Sequence, residues 1–209
     1  ISPRIALVDD LIIEASNSSE NLVELIIPES YDDVGVYSIT NDAPQVFPLG
    51  ETLVTWTATD VSGNSASDTQ MISVIDTTSP VIEISNYEIE ANIPNGSDTS
   101  LSLPFIFDIQ DVELTNDAPQ VFPLGETLVT WTATDVSGNS ASDTQMISVI
   151  DTTLPSMMVP NDIQVEASSI DATIVEFGSA QASDLVEIAS ITNDAPQVFP
   201  LGETLVTWT

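Results

Sequence analysis

Cysteine, lysine and histidine are all missing from this 209-residue chain, and its only basic side chain is Arg4. Without cysteine there is no disulfide to staple a small domain and no thiolate to ligate a metal. Without lysine, Schiff-base chemistry and Lys–Asn isopeptide cross-links drop out, which leaves hydrophobic packing and bound cations as sources of rigidity. Without histidine the usual nucleophile–base pairs are gone, and a lone arginine cannot clamp an anionic substrate. Two carboxylates could still serve a glycosidase, but that chemistry needs a deep cleft on a larger scaffold. An enzyme is therefore not expected. No apolar run approaches the roughly 20 residues of a membrane-spanning helix, so the chain is not expected to be membrane-embedded. No signal-peptide pattern opens the sequence, and any targeting segment is expected outside it.

What is present in excess is acid. There are 33 Asp and Glu residues and a formal net charge of −32, which repels nucleic acid and anionic bilayers and favours cationic partners. Such an imbalance is common in disordered chains. Here the 42% hydrophobic content and a regular strand pattern call for a folded chain with a very acidic surface.

The second feature is repetition. Residues 40–78 recur letter for letter at 115–153, and their first part recurs from 192 to 209, so the copies begin 75 and 77 residues apart. A period of this length makes each unit a small domain rather than one turn of a solenoid. The expected domains are 1–78, 79–153 and 154–209, with the last cut before its final hairpin strand. A longer chain, or a strand donated by a neighbour, is expected to cover that open edge.

Within a unit the pattern is β. Over 52–60 the run TLVTWTATD alternates, which puts Val54, Trp56 and Ala58 on one face and Leu53, Thr55, Thr57 and Thr59 on the other. Residues 61–64 (VSGN) form a turn, with Gly63 free to take a positive φ, and a second strand follows over 68–75. Pro3, Pro80 and Pro155 mark where units begin, and nothing reads as a helix. Several short strands per 75-residue period point to an all-β fold of tandem two-sheet sandwiches. Trp56, Trp131 and Trp208 sit among alternating strand residues, so they are expected in cores rather than on sugar-stacking surfaces.

The run FPLGETLVTWTATDVSGN, followed by SDTQMISVIDTTSP, resembles the second half of a hyalin repeat (HYR) domain, and VPNDIQVEAS at 159–168 resembles that family's opening strands. The resemblance implies immunoglobulin-like β-sandwich domains, arranged as a rod, in extracellular, adhesion-related proteins. Animal members often carry a cysteine pair, which does not transfer to this chain. The ATDxxGN hairpin and DTTxP linker also resemble tandem immunoglobulin-like modules of large bacterial adhesins, in which calcium rigidifies the joints.

Immunoglobulin-like strand order gives a reason for calcium here. The first strand leaves the incoming linker, and the turn between the last two strands returns to the same pole. Asp76 should then lie near Asp135 and Asn139, with Glu90 and Asp117 expected to reach the same pole. By the same logic Asp60 and Asn64 would meet a linker preceding Ile1, and Asp151 a hairpin beyond Thr209. Glu166 and Asp194 in the third unit complete the candidate ligands. Calcium takes six to eight oxygens and needs neither His nor Cys. An Asp before a turn also caps its own backbone, so taken alone Asp60 and Asp135 stay open between capping and ligation.

These features point to a structural protein, a calcium-rigidified rod or fibre in a microbial surface filament, surface layer or adhesin stalk, which self-associates into a fibre or lattice. Two alternatives remain. One is a binding module whose variable segments, 16–37 and 92–111, contact a glycan or cell-surface receptor. The other is a spacer in a secreted enzyme. Asn17-Ser18-Ser19 and Asn95-Gly96-Ser97 are formal glycosylation sequons whose occupancy the sequence leaves open.

Overall fold

The computed structural model describes residues 1–170 and 173–209, and every regular element among them is a β-strand. In chain order the strands are β1 (Arg4–Ile5), β2 (Leu11–Glu14), β3 (Ser30–Tyr31), β4 (Val36–Asn41), β5 (Gly50–Asp60), β6 (Ser65–Ile75), β7 (Val81–Glu83) and β8 (Tyr87–Glu90). They continue as β9 (Gly96–Ser97), β10 (Phe105–Phe107), β11 (Val112–Asn116), β12 (Phe122–Pro123), β13 (Gly125–Asp135), β14 (Ser140–Ile150), β15 (Ser156–Met158) and β16 (Gln181–Ser183).

Packing divides the chain into two compact units. One comprises Ile1–Ile84, Pro104–Asn116 and Trp131–Asp143, the other Ser85–Leu103, Asp117–Thr130 and Thr144–Thr209. The boundaries do not follow the sequence repeats, and they fall inside β13 and β14.

In the first unit β5 and β6 form the hairpin that the alternating run predicts, paired antiparallel from Gly50↔Val74 to Thr59↔Ser65. The turn closes through Asp60 N–H to Asn64 O (2.9 Å) and Gly63 N–H to Asp60 O (3.2 Å). Gly63 takes φ 86° there, a value that costs a side-chain-bearing residue steric energy. β4 pairs antiparallel with β5, and β2 lies parallel to β6, giving the order β2-β6-β5-β4. Parallel pairing needs a long crossover, and the intervening chain supplies it.

The inward face of this sheet is the core. Val54, Trp56 and Ala58 are 0%, 1% and 0% exposed. Val54 and Trp56 join Ala15, Phe47, Ile72 and Val74, with Ile5, Val8, Leu11, Val23 and Leu25 packed against them. The antiparallel pair β1–β3 contributes Ile5 from the opposite side, so the apolar cluster lies between two layers, as in an immunoglobulin-type β-sandwich. The buried indole is satisfied as well: Trp56 Nε1 donates to Gln70 Oε1 (3.1 Å), and Gln70 Nε2 donates to Asp9 O (2.8 Å). The same unit holds the antiparallel pairs β7–β10 and β11 with residues 131–135 of β13.

In the second unit β8 runs parallel to β14, from Tyr87↔Ile147 to Glu90↔Ile150, repeating the β2–β6 relation. β9 pairs with β12, and β15 with β16. Gly96 (φ 145°) is obligatory, because a Cβ there would fall 1.9 Å from Phe122 O. Trp131, which belongs to the first unit, is as buried as Trp56, at 1%. Trp208 is only half-buried, packed edge-on to Phe177 at 6.0 Å between ring centroids. Its segment is held by the isolated bridge Asn193↔Trp208, whereas β5 is flanked on both sides.

Trp56→Ala is therefore expected to cost about 3–5 kcal/mol in urea unfolding. Leu53→Ala, three residues nearer the N-terminus of β5 but 57% exposed, should cost roughly 0.5 kcal/mol or less.

Candidate metal centre

The turn after β13 closes as the β5–β6 turn does, through Asp135 N–H to Asn139 O (3.0 Å) and Gly138 N–H to Asp135 O (3.2 Å). Asp135 Oδ1 accepts Asn139 N–H (2.8 Å), and its Oδ2 accepts Asn139 Nδ2 (2.7 Å). The same Asn139 Nδ2 donates to the backbone oxygen of Asp76 (3.0 Å), which ties the hairpin turn to the segment after β6. Asp76, Asp135 and Asn139 thus stand together, as the strand-direction argument expects.

Two further residues complete the group, and both come from the chain just after β10. Asp108 Oδ1 accepts Gln110 N–H (2.8 Å). Gln110 Nε2 then donates to Asp76 Oδ2 (2.5 Å) and to Ser137 Oγ (2.6 Å). Carboxylate oxygens of Asp76, Asp108 and Asp135, one from each, all lie within 4.8 Å of one another. Asp76 and Asp135 are each 6% exposed. All of these residues belong to the first unit.

Like charges brought this close repel one another. Asp76 nevertheless stays ionised at neutral pH. Hydrogen bonds from the Gln110 amide, and then from the Thr78 hydroxyl and N–H, hold its carboxyl below the usual range against a smaller desolvation cost. The donors around the cluster are neutral amides and hydroxyls, which satisfy lone pairs without cancelling charge.

The residues fit a hard divalent cation. Every available ligand atom is oxygen: three carboxylates, the Asp76 carbonyl, and the side chains of Gln110 and Asn139. Each amide now presents its NH₂ to a carboxylate, and a half-turn about its terminal bond would present oxygen to an ion instead. Calcium accepts such a set in flexible geometry, whereas metals that prefer sulfur or imidazole find no donor. A cleft of ≈ 410 Å³ opens beside Asp108 and Gln110, walled by Ser18, Leu49, Ile109 and Val136.

The other candidate ligands occupy different settings. Asp60 accepts Ser62 N–H, Asn64 N–H and Asn64 Nδ2, each at 2.8 Å, and the Asn64 side chain is the main reason its carboxyl lies below the usual range. Glu90 accepts Thr152 N–H (2.7 Å), Thr152 Oγ1 (2.9 Å) and Thr153 Oγ1 (3.1 Å). Asp117 and Asp194 each accept one backbone N–H at 2.6 Å, from Thr130 and Thr207. Asp151 accepts Thr153 N–H (3.1 Å), and Glu166 is an exposed residue outside the strands. Among the described residues, the acidic group close enough to share an ion is Asp76, Asp108 and Asp135.

Sequence reasoning missed Asp108 and Gln110. The signal lay in the variable halves, where every repeat places an Asp directly after a short strand: Asp32 after β3, Asp108 after β10, Asp184 after β16. Each of these aspartates accepts the N–H two residues on, from Val34, Gln110 and Val186.

Residues 75–149 match the HYR domain family. The chain is 35% identical over 201 residues to Hyalin of Strongylocentrotus purpuratus, covering 87% of this chain and 17% of that protein. It is 34% identical over 205 residues to Hyalin of Lytechinus variegatus, covering 87% of this chain and 37% of that protein. The chain therefore spans well under half the length of either relative. Among solved structures, the protocadherin γB4 extracellular domain aligns with 99% of this chain and 43% of its own, at 14% identity and a TM-score of 0.40.

The Glu90 latch predicts a pH dependence. Backbone and hydroxyl donors, Thr152 N–H foremost, lower the Glu90 pKa from its model-compound value of 4.5. A depressed folded pKa stabilises fully above the unfolded value, and that stabilisation is lost as pH falls through the folded one. Melting temperature should therefore drop below about pH 4.5, and Glu90→Gln should flatten that part of the profile. An unchanged profile in thermal melts of the variant would contradict the assignment.

Proposed function

Because this chain belongs to the HYR family of extracellular, adhesion-type repeat domains, we propose that it is a structural array at a cell surface whose linkers are stiffened by calcium. The observation that carries this reading is the convergence of Asp76, Asp108 and Asp135 on one point, with no basic side chain among the residues that define it. The proposed modules are 1–78, 79–153 and 154–209. Asp76 then belongs to the segment leaving the first module, and Asp108 and Asp135 to the second.

Calcium would supply neutralisation there. Asp76, Asp108 and Asp135 would hold the ion, with Gln110 and Asn139 turning their amide oxygens toward it. Without a cation, repulsion between the carboxylates loosens the contact between the Asp76 segment and the hairpin turn. Once the charge is cancelled, the two are fixed and exposed to proteases less often. Affinity in the range of extracellular modules, about 10⁻⁴–10⁻³ M, suffices for this role. In such an array the chain self-associates into a fibre or lattice of a microbial filament, surface layer or adhesin stalk.

A binding module is the second reading, and exposed apolar side chains favour it. Leu22 and Ile26 (82% and 84% exposed) lie in the variable segment 16–37, and Leu103 and Phe105 (75% and 74%) in 92–111. Retention of the chain on immobilised glycans or cells would select this reading, and ordered self-association without a ligand would select the fibre.

Thermal melts of the full chain in EDTA, then calcium, magnesium and sodium at matched ionic strength, test the proposal. Calcium at about 100 times its Kd should add about 2.7 kcal/mol, or roughly 5–10 °C for a chain of this size. Asp108→Asn and Asp135→Asn should lose that increment while keeping the general salt response. Equal responses to all the cations would mean screening and would overturn the reading.

A further inference from the structure

We propose that Asn17 is the acceptor of an N-linked oligosaccharide. The loop after β2, residues 16–20, is exposed throughout. At its head the side chain of Asn17 folds back over its own sequon. Asn17 Oδ1 accepts Ser19 N–H (3.0 Å), Glu20 N–H (3.2 Å) and the Ser19 hydroxyl (3.4 Å). These contacts polarise the amide and leave Nδ2 of this exposed residue without a hydrogen bond among the described residues.

The loop backbone is fixed from below by a buried side chain. Asn21, 2% exposed, accepts Ser16 N–H (2.8 Å) and Asn17 N–H (3.0 Å) through Oδ1, and donates from Nδ2 to Asn17 O (2.9 Å) and Phe47 O (3.1 Å). The acceptor is thus presented on a tethered loop rather than a loose tail.

The second sequon is built in the opposite way. Gly96 and Ser97 form β9, paired to β12, and Ser97 is 1% exposed. Among the described residues no hydrogen bond joins Asn95 to Ser97, and Gly96 N–H is committed to Ile93 O (3.1 Å). The hydroxyl that the transfer needs beside the amide is therefore locked in the sheet.

The donor is a lipid-pyrophosphate-linked oligosaccharide. Asn17 Nδ2 bonds to the anomeric carbon, and the anomeric C–O bond breaks so that lipid pyrophosphate departs with the electron pair. One amide proton passes to a base of the transferase, and nothing is oxidised or reduced. Ser18 lines the cleft beside Asp108, so the sugar chain would stand at the rim of that cleft.

The test is secretion of the full chain from a eukaryotic host, followed by peptide-N-glycosidase treatment, which leaves aspartate where a glycan stood, and peptide mass spectrometry. The expected result is conversion at residue 17 in excess of residue 95. Asn17→Gln and Ser19→Ala should abolish the glycan mass, Ser19→Thr should retain it, and Asn95→Gln should leave it unchanged. Native tryptophan fluorescence verifies folding of each variant. Secretion of folded chain bare at Asn17, or occupancy of Asn95 equal to or above that of Asn17, would overturn the proposal. The outcome is independent of calcium binding.

Discussion

With 33 carboxylates and one basic side chain, almost no acid in this molecule can be neutralised by an ion pair, so each must find N–H and O–H donors or a cation from solution. Some of these carboxylates are met by latches that recur between the repeats. Glu14 and Glu90 accept Thr77 and Thr152, and Asp42, Asp117 and Asp194 accept the backbone of Thr55, Thr130 and Thr207. Asp10 accepts Met71 N–H, and Asn86 accepts Met146 N–H at the same 2.8 Å. Because asparagine does the same work as aspartate there, what that position requires is an acceptor rather than a charge. The group of Asp76, Asp108 and Asp135 differs. Three charges meet, and the amides that reach them cannot cancel any of it.

The identical and variable halves of the repeats divide the labour. The identical hairpin supplies the buried Val-Trp-Ala stripe, and the variable half supplies partners through backbone atoms as well as through side chains such as Glu14 and Glu90. The Phe of the Phe-Pro motif shows this most plainly. Phe47, Phe122 and Phe199 pair through the main chain with Asn21, Ser97 and Thr173, three polar residues of different shape. Backbone pairing does not read the side chain, so the variable half can drift while the fold persists.

That division also explains what could be read from the sequence. Strict alternation around Trp56 predicted a buried face, and the hairpin, its turn and its glycine followed. Chain direction in an immunoglobulin-like unit was enough to bring Asp76 toward Asp135 and Asn139. Asp108 and Gln110 were invisible by the same route, because they depend on β10 pairing with β7, a contact between short segments of weak pattern. Glu90, Asp117 and Asp194 were expected as ligands, and in the structure each accepts hydrogen bonds from a nearby threonine.

The central claim is that three carboxylates with neutral donors around them form a site for a divalent ion. Crystals of the full chain grown with calcium, or with a lanthanide in its place, and mapped by anomalous scattering, address it most directly. The account predicts a peak about 2.3–2.6 Å from oxygens of Asp76, Asp108 and Asp135, with the Gln110 and Asn139 amides turned to face it. A map with no peak among these residues, and the two amides still donating to the carboxylates, would contradict it.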